Sequence, residues 1–118
     1  MRGIACALLA VCVAACATTQ GHFRSLGPSY PAQPATFAVE VFESPPERPF
    51  ERIARLDAHF EHTGFVSTSH QAGIEELKKQ ARAAGGDAII ELRELRSHVG
   101  ETMILHVTAT AIRYTSAP

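Results

Sequence analysis

The 118-residue sequence predicts an α+β fold: a small antiparallel four-stranded sheet with one helix on one face, in the order β-β-α-β-β. Three observations carry that expectation. Ala54, Leu56, Ala58 and Phe60 alternate with Arg55, Asp57, His59 and Glu61, the period-two pattern of a half-buried strand. Ile74, Leu77, Ala81 and Ala84 recur at helical spacing, with Glu75, Glu76, Lys78, Lys79 and Arg82 turned elsewhere. Residues 103–114 then hold Thr108, Thr110, Ile112 and Tyr114, all good strand formers, while Ala109 and Ala111 on the alternate face leave room for a closely packed helix.

Taken in order, residues 37–42 (FAVEVF) read as the first strand. Residues 44–49 (SPPERP) stop it, because Pro45, Pro46 and Pro49 have no backbone N–H to donate. The second strand covers the alternating stretch, with Gly64 near its end. Ser67, Thr68 and Ser69 offer caps for the helix. Glu75 and Lys79 form a favourable i,i+4 pair on its exposed side. Gly85-Gly86 ends it, since glycine adopts the left-handed cap conformation without penalty. Asp87 follows and is expected to bond the turn. Residues 87–93 form the third strand, 97–101 a turn and 103–114 the last strand. Residues 115–118 should fray. The α+β domain is thus expected over 37–114.

Residues 17–36 hold three prolines and two glycines without apolar periodicity. Together with Cys16 they read as a flexible tether of about 25 Å r.m.s. span. The other reading packs this segment onto the domain through Phe23, Leu26 and Tyr30.

The first residues follow the plan of an export signal: Arg2 is the one charge before position 24, and an apolar run of 15 residues follows it, from 3 to 17. At ~1.5 Å rise per residue the run is roughly 22 Å long, short of a ~30 Å hydrocarbon core. Val13-Ala14-Ala15-Cys16 resembles the bacterial lipobox: an aliphatic residue, two small residues, then cysteine. That resemblance implies removal of signal peptide 1–15, a thioether-linked diacylglycerol on Cys16 and acylation of its new amine. Plain secretory cleavage after a small residue is the other reading. The three cysteines stand at 6, 12 and 16, so the remaining chain holds no disulfide, thiolate metal ligand or thiol nucleophile. Loss of Arg2 from 11 basic residues leaves ten against twelve acidic ones, near −2, which is no nucleic-acid footprint.

The stretch 77–90 (LKKQARAAGGDAII) and the run Thr108-Ala109-Thr110-Ala111-Ile112 resemble the YbjQ-like and RcsF-like β-β-α-β-β domains of bacteria. There a helix ends in Gly-Asp-Ala and runs straight into an apolar strand, and a final strand alternates threonine with small residues. The resemblance spans about 37–114. With the lipobox, it implies a membrane-attached envelope protein facing the periplasm, a protein-interaction or stress-sensing module with an envelope protein as partner; residues 37–42 and 103–114 are its candidate surfaces, and the lack of nucleophile machinery argues for a non-enzymatic role. Alanine rather than aspartate after the anchor cysteine leans toward the outer membrane. The chain departs from the RcsF-like pattern in having no cysteine beyond Cys16, so a disulfide-dependent mechanism does not carry over.

Candidate chemistry narrows to histidine. No Gly-x-Ser-x-Gly elbow is present, and Gly85-Gly86 closes a helix instead of opening one around a phosphate. Imidazole suits zinc, copper and nickel. His59 and His62 flank Phe60-Glu61, and His70 precedes the helix, so these three are the candidate metal ligands. On a strand, His59 and Glu61 share a face while His62 points away, and one metal reaches both histidines only if the strand bends near Gly64. His106 lies mid-strand and reads as a packed or edge residue.

Overall fold

The computed structural model of the chain describes residues 19–63 and 70–116. Signal segment 1–15, Cys16 and the cap candidates Ser67, Thr68 and Ser69 lie outside the described residues. In chain order the elements are β1 (Thr19–Gly21), β2 (Arg24–Ser25), β3 (Glu40–Val41), β4 (Phe50–Thr63), α1 (His70–Ala83), β5 (Ala88–Val99) and β6 (Thr102–Tyr114). They form one mixed sheet in the order β1-β4-β6-β5-β3, with β2 also on β4, and one helix. The class is α+β.

Three long antiparallel strands, β4, β6 and β5, are the centre of the sheet. Alternation along them defines its two faces. On one face Ala54, Leu56, Ala58 and Phe60 of β4 meet Leu105, Val107, Ala109 and Ala111 of β6, and Leu77, Ala81 and Ala84 at the helix complete that core. The small side chains bring the helix close: a Cβ on Gly73 would stand 2.9 Å from Val107 Cγ2. On the opposite face, near the other end of the strands, Ala88, Ile90 and Ile112 form a second cluster against Phe42, Phe50 and Tyr114.

The sheet differs from the expected four-stranded antiparallel one in its first strand. Of residues 37–42 only Glu40 and Val41 pair, and they pair parallel to β5, opposite Ala88 and Ile89. The physical reason is the proline run. Residues 44–49 cannot fold back as a tight hairpin, so they carry the chain across the sheet from the outside of β5 to β4. Phe42 is thereby laid over Ile90 and Ile112. The 97–101 turn also contracts. β5 runs through Ser97, His98 and Val99, which pairs with Thr102, and the reversal falls on Gly100, at φ +62, and Glu101.

The segment read as a tether runs along the domain instead. β1 pairs with β4 from Thr19↔Phe60 to Gly21↔Ala58, and β2 pairs Arg24 with Arg55 and Ser25 with Ala54. Tyr30 donates its hydroxyl hydrogen to Glu51 at 2.6 Å and stacks under the Arg113 guanidinium at 4.4 Å. Gln33 N–H donates to the Arg82 carbonyl at 2.8 Å and Gln33 Nε2 to Asp87 at 3.0 Å. Phe23 and Tyr30 pack against the core, while Leu26 stays exposed. Proline and glycine stop helix formation here, but they do not prevent an extended segment from covering a sheet edge.

Helix α1 ends as a Schellman motif: Gly86 N–H donates to Ala81 O at 2.8 Å and Gly85 N–H to Arg82 O at 3.0 Å. Asp87 bonds beyond the turn, accepting from Tyr114 N–H at 2.9 Å. The expected i,i+4 pair is replaced by an i,i+3 contact of Lys78 with Glu75 at 3.6 Å. Ile74 sits half-buried, and the fourth buried position of the helix goes to Gln80. Its side-chain amide clamps one residue of β4. Nε2 donates to the Asp57 carbonyl at 2.7 Å, and Oε1 accepts from the Asp57 N–H at 3.0 Å. Asp57 falls in the gap between the residues that β1 and β2 pair, so the amide takes the place of a neighbouring strand.

Two substitutions test this account. Gly85 has φ +82, and an added Cβ would lie 2.6 Å from the Pro31 carbonyl oxygen. Gly85→Ala is expected to cost at least about 1–2 kcal/mol in urea unfolding, because an L-residue is disfavoured there by that amount before the clash is counted. Gln80→Leu removes both partners of the Asp57 backbone and should cost about 2–3 kcal/mol in the same measurement, the penalty of leaving buried polar groups unpaired.

Candidate functional site

The face of the sheet opposite the helix carries the polar residues of β4, β6 and β5 in cross-strand rows. Arg55 stands opposite Thr110, Asp57 opposite Thr108, His59 opposite His106 and Glu61 opposite Ile104. On the other side of β6, Arg93 faces Thr108, Leu95 faces His106 and Ser97 faces Ile104. Two shallow depressions meet on this face at His106 and Thr108, one toward Arg93 and Leu95, the other toward Asp57, Arg55, Arg24 and His22.

His59 and His106 are direct cross-strand neighbours. Their ring centroids are 5.7 Å apart and their planes stand at 80°. Each ring is held by a carboxylate. His59 Nε2 lies 2.9 Å from Glu61 Oε1, two residues along the same strand face. His106 Nε2 makes a short hydrogen bond to Asp57 Oδ1 across the strands. The clamp on the Asp57 backbone by Gln80 thus ties this face to the helix behind it.

The expected trio does not converge. His70, at the start of α1, places Nδ1 2.7 Å from Glu94 Oε2, on the helix side of the sheet, whereas His59 points to the opposite side. His62 stands opposite Met103 in the β4–β6 register, and its side chain lies outside the described residues. Among the described residues no three His, Cys, Asp or Glu side chains gather as a metal-ligating group. The structure pairs His59 with His106 instead. Composition and spacing do not reveal this; it follows from the register of two strands some 40 residues apart in sequence.

Charge is organised around two glutamates. Glu91 sits at the irregularity between Ile90 and Arg93 with φ +59, and Arg52 Nε donates to its carboxylate at 3.0 Å. Arg52, helped by the Thr110 hydroxyl, holds the Glu91 carboxyl below its ordinary value against a smaller opposing effect of burial. At Glu94 burial pushes the carboxyl up, but His70 and Arg96 (2.8 Å) together outweigh it, so it too lies below the ordinary value. For a carboxyl lowered on folding, the stabilisation is present above the unfolded-state value near 4.3 and is lost as pH falls through the folded value.

The family models, the curated proteins and the solved structures contain no match to this chain.

The ion pair of Glu91 with Arg52 is open to solvent, so its contribution is modest. Glu91→Gln should leave stability at pH 7 nearly unchanged, by less than about 1 kcal/mol, and should flatten the loss of stability below pH ~4.3. Thermal unfolding recorded from pH 3 to pH 7 checks both parts.

Proposed function

We propose that this chain is a lipid-anchored bacterial cell-envelope protein, non-enzymatic, that acts by binding another envelope protein at the open edge of β5. The Val13-Ala14-Ala15-Cys16 pattern supports acyl attachment at Cys16, on a chain facing the periplasm, with Ala17 favouring the outer membrane.

The observation that carries the binding role is the edge itself. β3 pairs with β5 only at Ala88 and Ile89, so among the described residues positions 91–99 have β6 on one side and no strand on the other. Leu95 and Val99 there are 68% and 67% exposed, the two most exposed large apolar side chains of the described residues. An unpaired edge of this kind accepts an extended segment by main-chain hydrogen bonding, with side chains giving selectivity. The irregularity at Glu91 and the charges of Arg93, Glu94 and Arg96 discourage indiscriminate stacking of edges.

The N-terminal pairing orients such a module. β1 begins three residues after Cys16, on the β4 side of the sheet. A lipid on Cys16 would therefore hold that side within about 10 Å of the membrane surface, at ~3.3–3.6 Å per extended residue. β5 lies three strand positions from β1, and at ~4.8 Å per position its edge is about 14 Å further across the sheet.

In cells fed labelled palmitate, the wild-type chain should incorporate label and sediment with membranes, and Cys16→Ser should do neither. A photo-crosslinking residue at Leu95 or Val99 should capture a discrete envelope protein, while the same residue at Arg113, remote from the β5 edge, should not. Label retained by Cys16→Ser would refute the anchor. Equal capture from both positions would refute the edge.

A further inference from the structure

We infer that His59 and His106 are the paired ligands of a divalent copper or zinc ion on the open face of the sheet, with Glu61 and Asp57 as the carboxylates that hold the two rings. The inference does not depend on the lipid anchor or on the β5 edge.

Spacing is the first argument. Metal–nitrogen bonds to imidazole are ~2.0–2.1 Å and a ring centre lies about 1.1 Å behind its nitrogen, so two rings on one tetrahedral ion have centres about 5.2 Å apart. The observed separation is 5.7 Å. The difference is about 0.5 Å between ring centres, and the register keeps the two residues directly opposite each other.

The four ring nitrogens are also disposed for ligation. An ionised carboxylate can only accept a hydrogen bond, so each Nε2 facing one carries the hydrogen. In the neutral ring that leaves the lone pair on Nδ1. Neither Nδ1 has a partner among the described residues. Histidines that bind metals are typically oriented in this way, one nitrogen donating to a carboxylate and the other left to ligate. Here two such carboxylate–histidine units stand side by side.

Charge and access agree. Asp57 and Glu61 place two negative charges beside the pair, and a dication offsets them. Of the nearby cationic groups, Arg55 is engaged with the Thr110 hydroxyl at 3.0 Å, Arg93 stands one row away across from Thr108, and Arg24 and His22 line the depression that reaches His106 and Asp57. The His59 and His106 side chains are 36% and 41% exposed, so an ion can enter and water can complete its coordination. With two protein ligands the site is open, and its affinity for imidazole-preferring metals follows copper above zinc and nickel.

The test uses the full chain and the metal ion alone. Zn²⁺ titration followed by imidazole ¹⁵N NMR should saturate at one equivalent and move the Nδ1 signals of His59 and His106 while those of His70 stay in place. Cu²⁺ electron paramagnetic resonance should show coupling to two equivalent nitrogens. His106→Gln and His59→Gln should each weaken binding by at least tenfold, and Asp57→Asn by roughly 10–100-fold through loss of the supporting carboxylate. His70→Ala should change nothing. Shifts centred on His70, an unaltered affinity in His106→Gln, or no saturable binding by the wild-type chain would each overturn the assignment. Because the ring signals are read on the wild-type protein, a variant that failed to fold would not obscure the result.

Discussion

The side-chain amide of Gln80 gripping the backbone of Asp57 is the contact on which the layered structure turns. A helix laid on a sheet is held by apolar burial, which is non-directional and would tolerate sliding. The alanine-rich interface here is smooth, so sliding is a real hazard. A buried amide that satisfies both the N–H and the carbonyl of one strand residue admits one register only. It also fills a break on the β1/β2 side of β4, where neither short strand pairs with Asp57. The same residue then projects its carboxylate through to the other face, where it holds His106. One polar contact thus sets helix register, edge satisfaction and the orientation of the histidine face.

The two faces of the sheet have different tasks. The helix side is packed with small residues and sealed at the far end by the segment around Tyr30 and Gln33. The other side is divided. Its upper part is closed by the proline-bearing crossover, with Phe42 over Ile90 and Ile112 and with Arg48 3.9 Å above the Tyr114 ring. Its lower part is left bare, and there the titratable residues stand in rows. With no cysteine among the described residues, a domain of this size depends on burying apolar surface on both faces of one sheet. The open region is what remains after that requirement is met.

Several elements were legible in sequence because their signals are local. The alternation from Ala54 to Phe60 and the helical recurrence of Leu77, Ala81 and Ala84 specify which side of an element is buried, whatever it packs against. Gly85-Gly86 acts within its own turn. Pairing partners are another matter. Glu40 and Val41 have the composition of a strand but lie beside β5, and residues 19–25, poor in any periodicity, pair with β4. Short edge strands are stabilised by hydrogen bonds to a neighbour already in place, and their own side chains contribute little. For the site, His59 was legible as an exposed strand residue beside Glu61. His106 was not legible as its neighbour, and neither was the place of His70 on the helix side beside Glu94, because proximity in sequence says nothing about which face of a sheet a residue reaches.

By itself the sequence determined the lack of cysteine beyond position 16, which is composition alone, and the periodic elements, their buried sides and the stop of the helix, which depend on neighbours within about four residues along the chain. Only the tertiary structure decided that the sheet is mixed, that the N-terminal segment is pinned to β4 and that His59 meets His106. Each of those is a matter of register between segments tens of residues apart. Register is chosen by the sum of all contacts along paired strands, and no single stretch of sequence contains that sum.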